Sequence, residues 1–317
     1  KLYRNVWKDA GTASVATNYT GYYTATLPRE DGYGSGYLTI TVDKVGGVKT
    51  SGKLADGTVV SMSSVLDVDE AGRFWTVLYT VPAAYTYGGG LFGLVEFVKP
   101  ADGSPVFVRL LDAQPLLWSN QSPLATATYG DGFSREPKIA GGWYDKTGNL
   151  YAYYANKDLS VGMEPGADAP VLTVGTNRYE SAWWSPDGLS LFAVTNTAGT
   201  LTGIKAPAAA SPVYADGAWA YGNAENTVGL TFALTRATGI FSGSSKAWFD
   251  YAATHTSKPV AYQGVITPVR EYMDDGVGGR GFFLWADKGQ YQNAQNRTTS
   301  YSFNWSYDFV IETADQN

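Results

Sequence analysis

Residues 190–203 read SLFAVTNTAGTLTG and residues 230–243 read LTFALTRATGIFSG. The two stretches align without a gap and share Phe-Ala, a Thr, a central Gly and a closing Gly. Residues 38–52, LTITVDKVGGVKTSG, repeat the pattern with one inserted residue. Each copy is an alternating apolar run, a turn around Gly47, Gly199 or Gly239, and a second run closed by Gly52, Gly203 or Gly243. Alternation has the period of a strand, and a Gly-bearing turn between two such runs reads as a hairpin. One register in all three copies would put Phe192 and Phe232 at equivalent inward positions.

Outward from these copies the same grammar continues. Asp-Gly stands at Asp31, Asp56, Asp102, Asp131, Asp187, Asp216 and Asp275, and both residue types tolerate the positive φ of tight turns. Between these points lie runs rich in Val, Ile, Thr, Tyr and Phe, such as Gly21–Leu27, Phe74–Thr80 and Tyr301–Ile311. No window carries a capped 3.6-residue period. The expected fold is all-β: an antiparallel sandwich or barrel of many short strands built from repeated hairpins, with little helix. The chain reads as one large unit over residues 1–317. The Ala- and Pro-rich stretch 206–212 is the one place where it could divide.

Composition bounds the function. Of the 317 residues 44% are hydrophobic, whereas only 16% are charged, below the usual quarter. A net charge of −6 argues against nucleic acid and anionic membrane as partners, because phosphate recognition needs clustered Lys and Arg. With no cysteine, disulfides, thiolate metal sites and thiol nucleophiles are excluded. No run approaches the ~18 apolar residues of a membrane helix. The opening Lys1-Leu2-Tyr3-Arg4-Asn5 is read as the start of a mature or excised piece of a longer polypeptide.

Read in order, YTGYYTATLP, GYLTITVD, GGVKTSGKLADGTVVSMSS, YGDGF, LTFALTRATGIFSG, AYQGVITP and GRGFFLW form one series. Over roughly residues 20–290 the series resembles an uncharacterised β-rich module of large secreted and surface proteins of environmental bacteria, often found beside immunoglobulin-like repeats. The resemblance implies an extracellular or cell-surface β-module and brings no catalytic residues with it.

Candidate chemistry is sparse. His255, the single histidine, reads as a loop residue with no nucleophile motif to serve. Multi-histidine metal ligation is excluded. Gly276-Val277-Gly278-Gly279-Arg280-Gly281 matches a dinucleotide fingerprint but precedes a strand instead of a helix, so it reads as a glycine-rich turn. Asp67, Asp69 and Gly72 sit at the first, third and sixth places of a calcium loop, yet its twelfth place is Leu78. An acidic hairpin turn is the better reading, and calcium is the one cofactor left open, at Asp67 and Asp69 or at Asp274 and Asp275. A glycosidase would need two converging carboxylates. Glu96, Glu180, Asp250, Glu271 and Asp308 lie beside aromatics, with outward, solubilising positions as the competing reading. Aromatics reach 15%, and Tyr179, Trp183, Trp184 and Trp248 are the candidates for stacking on glycan.

These observations converge on a non-enzymatic structural or adhesive module, extracellular or cell-surface, that contacts neighbouring modules or copies of its own chain and could assemble by strand addition. The alternatives are a carbohydrate-binding module taking polysaccharide and a glycoside-active enzyme. No catalytic residue is assigned.

Overall fold

A computed structural model describes residues 16–29, 34–121 and 133–146 continuously. From 159 onward it describes the strands, with residues 237–239 and 267 beside them; side chains there are placed at 234–235, 237–244, 259–267, 278–284, 306, 308 and 309. The first half carries β1 (Gly21–Leu27), β2 (Gly36–Val42), β3 (Gly47–Lys53), β4 (Val59–Val65), β5 (Asp67–Val68), β6 (Phe74–Thr80), β7 (Gly89–Val98), β8 (Phe107–Leu110), β9 (Leu117–Asn120), β10 (Phe133–Arg135) and β11 (Ala140–Trp143). The second carries β12 (Leu159–Glu164), β13 (Leu172–Val174), β14 (Asn177–Tyr179), β15 (Phe192–Thr197), β16 (Thr200–Lys205), β17 (Pro212–Ala215), β18 (Ala218–Tyr221), β19 (Thr231–Thr235), β20 (Ile240–Tyr251), β21 (Thr254–Ile266), β22 (Val277–Gln292) and β23 (Thr298–Thr313). All pairings among them are antiparallel. The expected fold class therefore holds. Residues 206–211, where a division was considered, lie outside the described residues.

The first eleven strands form one sheet, and it curls into a half-barrel. Its strands run β4-β3-β2-β1-β11-β8-β7-β6, which brings β4 back beside β6. No ladder joins that last pair. The Oγ atoms of Ser64 and Thr76 lie 2.7 Å apart, and Thr76 Oγ1 donates to the Val65 carbonyl at 3.0 Å. Beyond Val65 the chain leaves the edge: the Leu66 amide donates to the Gly46 carbonyl at 2.8 Å and its side chain is fully buried. Strand β7 is flanked by β6 on one edge and by β9 and then β8 on the other.

Period-2 alternation fills the interior. Tyr23, Ala25 and Leu27 of β1, Leu38, Ile40 and Val42 of β2, and Leu91, Val95 and Phe97 of β7 are buried in one cluster. Strands β1 and β2 bury their other face as well. Thr24 and Thr26 are inaccessible, and Tyr37 packs with Val265 and Phe282 of the second large sheet. That sheet runs β16-β15-β12-β23-β22-β21-β20-β19. At the junction the Gly34 amide donates to the Ser306 carbonyl at 3.3 Å, and Ser306 Oγ donates to the Ala55 carbonyl at 2.5 Å.

All three sequence copies are antiparallel hairpins: β2–β3, β15–β16 and β19–β20. In the first, the left-handed residue is Gly46 (φ 71°) and Gly47 already belongs to β3, because the inserted residue moves the turn back by one. In the third, Gly239 itself turns, at φ 69°. Gly199 and the side chains of Phe192 and Phe232 lie outside the described residues.

Three other expectations are corrected. Gly278–Gly281 forms strand, not a turn, because the glycines let backbones close up. A Cβ on Gly281 would lie 2.6 Å from the Gly264 Cα and inside contact of the Gln263 carbonyl oxygen. His255 sits within β21, in register with Asp250, instead of in a loop. Finally, β20 to β23 run for 12, 13, 16 and 16 residues, longer than the short strands expected.

At the end of the half-barrel where β3 turns into β4, a hydrogen-bonded chain fills the space. Trp118 Nε1 donates to Tyr85 Oη at 2.9 Å, and Tyr85 Oη donates to Asp56 Oδ2 at 2.6 Å. The Thr58 amide donates to Asp56 Oδ1 at 2.9 Å. Burial raises the Asp56 carboxyl above its ordinary value despite these donors, and burial followed by the neighbouring Asp56 raises the Tyr85 phenol.

Two predictions follow from this packing. Gly281→Ala forces backbone apart and should cost about 1–3 kcal/mol in chemical denaturation. Gly72→Ala, at φ 78° with open space around it, should cost only the backbone strain of about 1 kcal/mol. Equal losses would remove the close-approach explanation. Because the folded-state pKa of Asp56 is raised, its neutral form contributes stability fully below the ordinary aspartate range, and that contribution is lost as pH rises through the folded value. Thermal melts should therefore show Asp56→Asn gaining on the wild type as pH rises from that range; a constant difference would contradict the shift.

Candidate functional site

Of the carboxylates that could have formed a catalytic pair, the two whose side chains are described, Glu96 and Asp308, are each paired with an arginine. Glu96 of β7 stands in register with Trp75 on one side and Arg109 on the other. Its side chain is 7% exposed and accepts from Arg109 Nε at 2.8 Å. Alternation puts Glu96 on the outward face, where a solvated charge was the competing reading, yet its neighbours cover it. Burial, with Glu96 as the second cause, raises the phenol of Tyr19. Asp308 of β23 lies in the other large sheet. Its Oδ1 accepts the Ser35 amide at 3.2 Å, and its Oδ2 accepts Arg280 Nη1 at 2.7 Å. Each carboxylate thus holds an arginine, in different sheets. Glu180 and Glu271 lie outside the described residues, and Asp250 is placed only as the register partner of His255.

The acidic turn at Asp67 and Asp69 has a structural occupation. Asp69 Oδ1 accepts the amides of Ala71 at 3.0 Å and Arg73 at 2.9 Å, while Oδ2 accepts Arg73 Nε at 2.7 Å. These bonds, the Arg73 amide first, hold the Asp69 carboxyl below its usual range. Arg73 also pairs with Asp112. Asp43 makes the same kind of turn, accepting the amides of Val45 at 2.9 Å and Gly47 at 2.8 Å. At Asp43–Gly46 and Asp69–Gly72, D-x-x-G thus forms a hairpin turn closed by its own aspartate. Asp67 Oδ1 accepts the Val68 amide at 2.8 Å. Among the described residues no group of three or more His, Cys, Asp or Glu gathers as metal ligands do. Asp274 and Asp275 lie outside the described residues, as do Trp183 and Trp184. Tyr179 ends β14 in register with Leu172, and Trp248 lies in β20 in register with Ser257.

A different surface stands out. On the outward face of β6, β7 and β9, Tyr79, Phe92 and Leu117 form one row, because Tyr79 pairs with Phe92 and Phe92 pairs with Leu117. They are 63%, 46% and 47% exposed. Side chains directly opposite on neighbouring strands touch or nearly touch, so the row is one continuous apolar strip. Val77 and Leu94, also in register, extend it on the same face, and beyond them lie Trp75, Glu96 and Arg109. On the other side come Ser119 of β9 and, in register with it, Ser134 of β10. Sequence reading missed this face because Tyr and Phe in strands read as core. A signal was present: no residue from Thr76 to Val95 or from Gln114 to Gln121 carries a charge.

The second surface is the outer edge of β4, Val59-Val60-Ser61-Met62-Ser63-Ser64-Val65. Its inner edge pairs with β3 over its full length. Among the described residues its outer edge has no ladder partner. Val60 and Met62 point into the core, while Val59, Ser61 and Ser63 are exposed. Natural edges are guarded by Lys, Pro, bulges or covering loops, and this one contains neither Lys nor Pro.

No protein-family model matches the chain, and no curated protein matches it.

Proposed function

We propose that the protein is a non-enzymatic structural or adhesive module, extracellular or cell-surface, that joins neighbouring modules or copies of its own chain by strand addition at β4. The observation that carries this reading is the uncharged β4 edge, which lies beside β6 without a backbone ladder, Thr76 meeting Ser64 Oγ and the Val65 carbonyl through its side chain. An extended segment laid along β4 gains main-chain hydrogen bonds at once and needs no side-chain pocket for affinity. The described carboxylates fit the same reading, since Glu96 and Asp308 each hold an arginine. The resemblance to modules of large bacterial surface proteins supports the location.

Sedimentation velocity over a wide concentration range tests this. The wild-type chain should associate as concentration rises, whereas Ser61→Lys with Ser63→Lys should remain monomeric, because two exposed lysines guard the edge. Both positions are exposed and thermal melts should coincide. A wild-type chain that stays monomeric, or a double variant that associates equally well, would remove β4 as the joining edge.

A further inference from the structure

We infer that the outward face of β6, β7 and β9 binds a neutral polysaccharide chain, with Tyr79 and Phe92 as the stacking rings. The inference is independent of the β4 edge. Three observations carry it. First, Tyr79 and Phe92 are register partners on adjacent strands, both strongly exposed. Neighbouring strands lie about 4.8 Å apart, so the two side chains are spaced on the scale of a single pyranose ring, whose C–H face packs against aromatic carbon. Second, the face is uncharged from Thr76 to Val95 and from Gln114 to Gln121, in a chain of net charge −6. That suits a neutral ligand. A polyanion would find one cation beside the row, Arg109, already held by Glu96, and a polycation no exposed carboxylate there.

Third, hydrogen-bonding groups stand on both sides of the apolar strip. On one side is Arg109, 53% exposed and held by Glu96; on the other are Ser119 and Ser134, in register with each other. A polysaccharide supplies apolar ring faces and hydroxyls together, and so satisfies strip and flanks at once. A lipid surface or an apolar protein patch would cover these polar groups without replacing their water, at the cost of desolvating them.

Affinity electrophoresis through gels containing hydroxyethyl cellulose, xylan or dextran, with alginate as the polyanion, reads the inference directly. At least one neutral polymer should retard the wild-type chain, and alginate should not. Tyr79→Ala with Phe92→Ala should weaken retardation at least about tenfold in apparent Kd, as expected on losing two stacking rings. Val45→Ala, an exposed apolar change in the β2–β3 turn, should leave it unchanged, and matching melts would exclude unfolding. Retardation by none of the neutral polymers would overturn the inference, as would retardation that survives the double substitution. Self-association abolished by the same double variant would assign the face to a second copy and overturn it too. Because Ser61→Lys with Ser63→Lys leaves both rings in place, glycan retention should persist in that variant whether or not the β4 edge joins chains.

Discussion

A backbone amide shared by two acceptors lies at the centre of the junction between the two large sheets. The Ser35 N–H is shared between the Gly281 carbonyl at 3.1 Å and Asp308 Oδ1 at 3.2 Å. The second Asp308 oxygen takes Arg280. A carboxylate so buried is costly unless both oxygens are bonded, and here they are. The clamp works only because β22 brings backbone where a side chain would otherwise stand. Gly279 and Gly281 pack against the carbonyls of Val265 and Gln263, leaving no room for a Cβ. With this register held, Tyr37 reaches Val265 and Phe282, and β1 and β2 become strands buried on both faces.

That burial determines which surfaces remain available. Strands β1 and β2 are spent on the second sheet. Strands β4, β6, β7 and β9 are not, since the curl carries them away from the junction. The exposed row and the unladdered edge therefore both lie on the part of the half-barrel that the clamp does not use.

How much of this was legible depended on whether a feature is local. The hairpins were legible because alternation and a turn glycine sit within fifteen residues. The aspartate turns were legible as turns, and Asp43 and Asp69 show why: the carboxylate needs only amides two and four residues on. The glycines of 278–281 misled, because a glycine needed for a neighbour's approach looks in sequence like one needed for a turn. The side of a strand that meets the core is also nonlocal. Tyr79 and Leu78 are equally apolar to the eye, and only the curl decides that Leu78 is buried and Tyr79 exposed. Glu96 shows the converse, an outward carboxylate buried by Arg109 and its neighbours. The seam was invisible because its hydrogen bonds run through side chains, Thr76 with Ser64 and with the Val65 carbonyl, twelve and eleven residues apart.

Strand β6 belongs to both surfaces. Its outward side chain Tyr79 contributes to the row, and its backbone from Thr76 to Thr80 faces the same seam as β4. A strand added at the seam would lie beside the row, and its outward side chains would continue the face across another strand spacing. Association would then widen the binding surface without altering Tyr79 or Phe92. Chains joined in series would carry their faces at fixed intervals, and a polymer engaging several would gain affinity from proximity alone. On the proposed reading, a module with modest affinity at each face would therefore hold firmly once it is part of such an array.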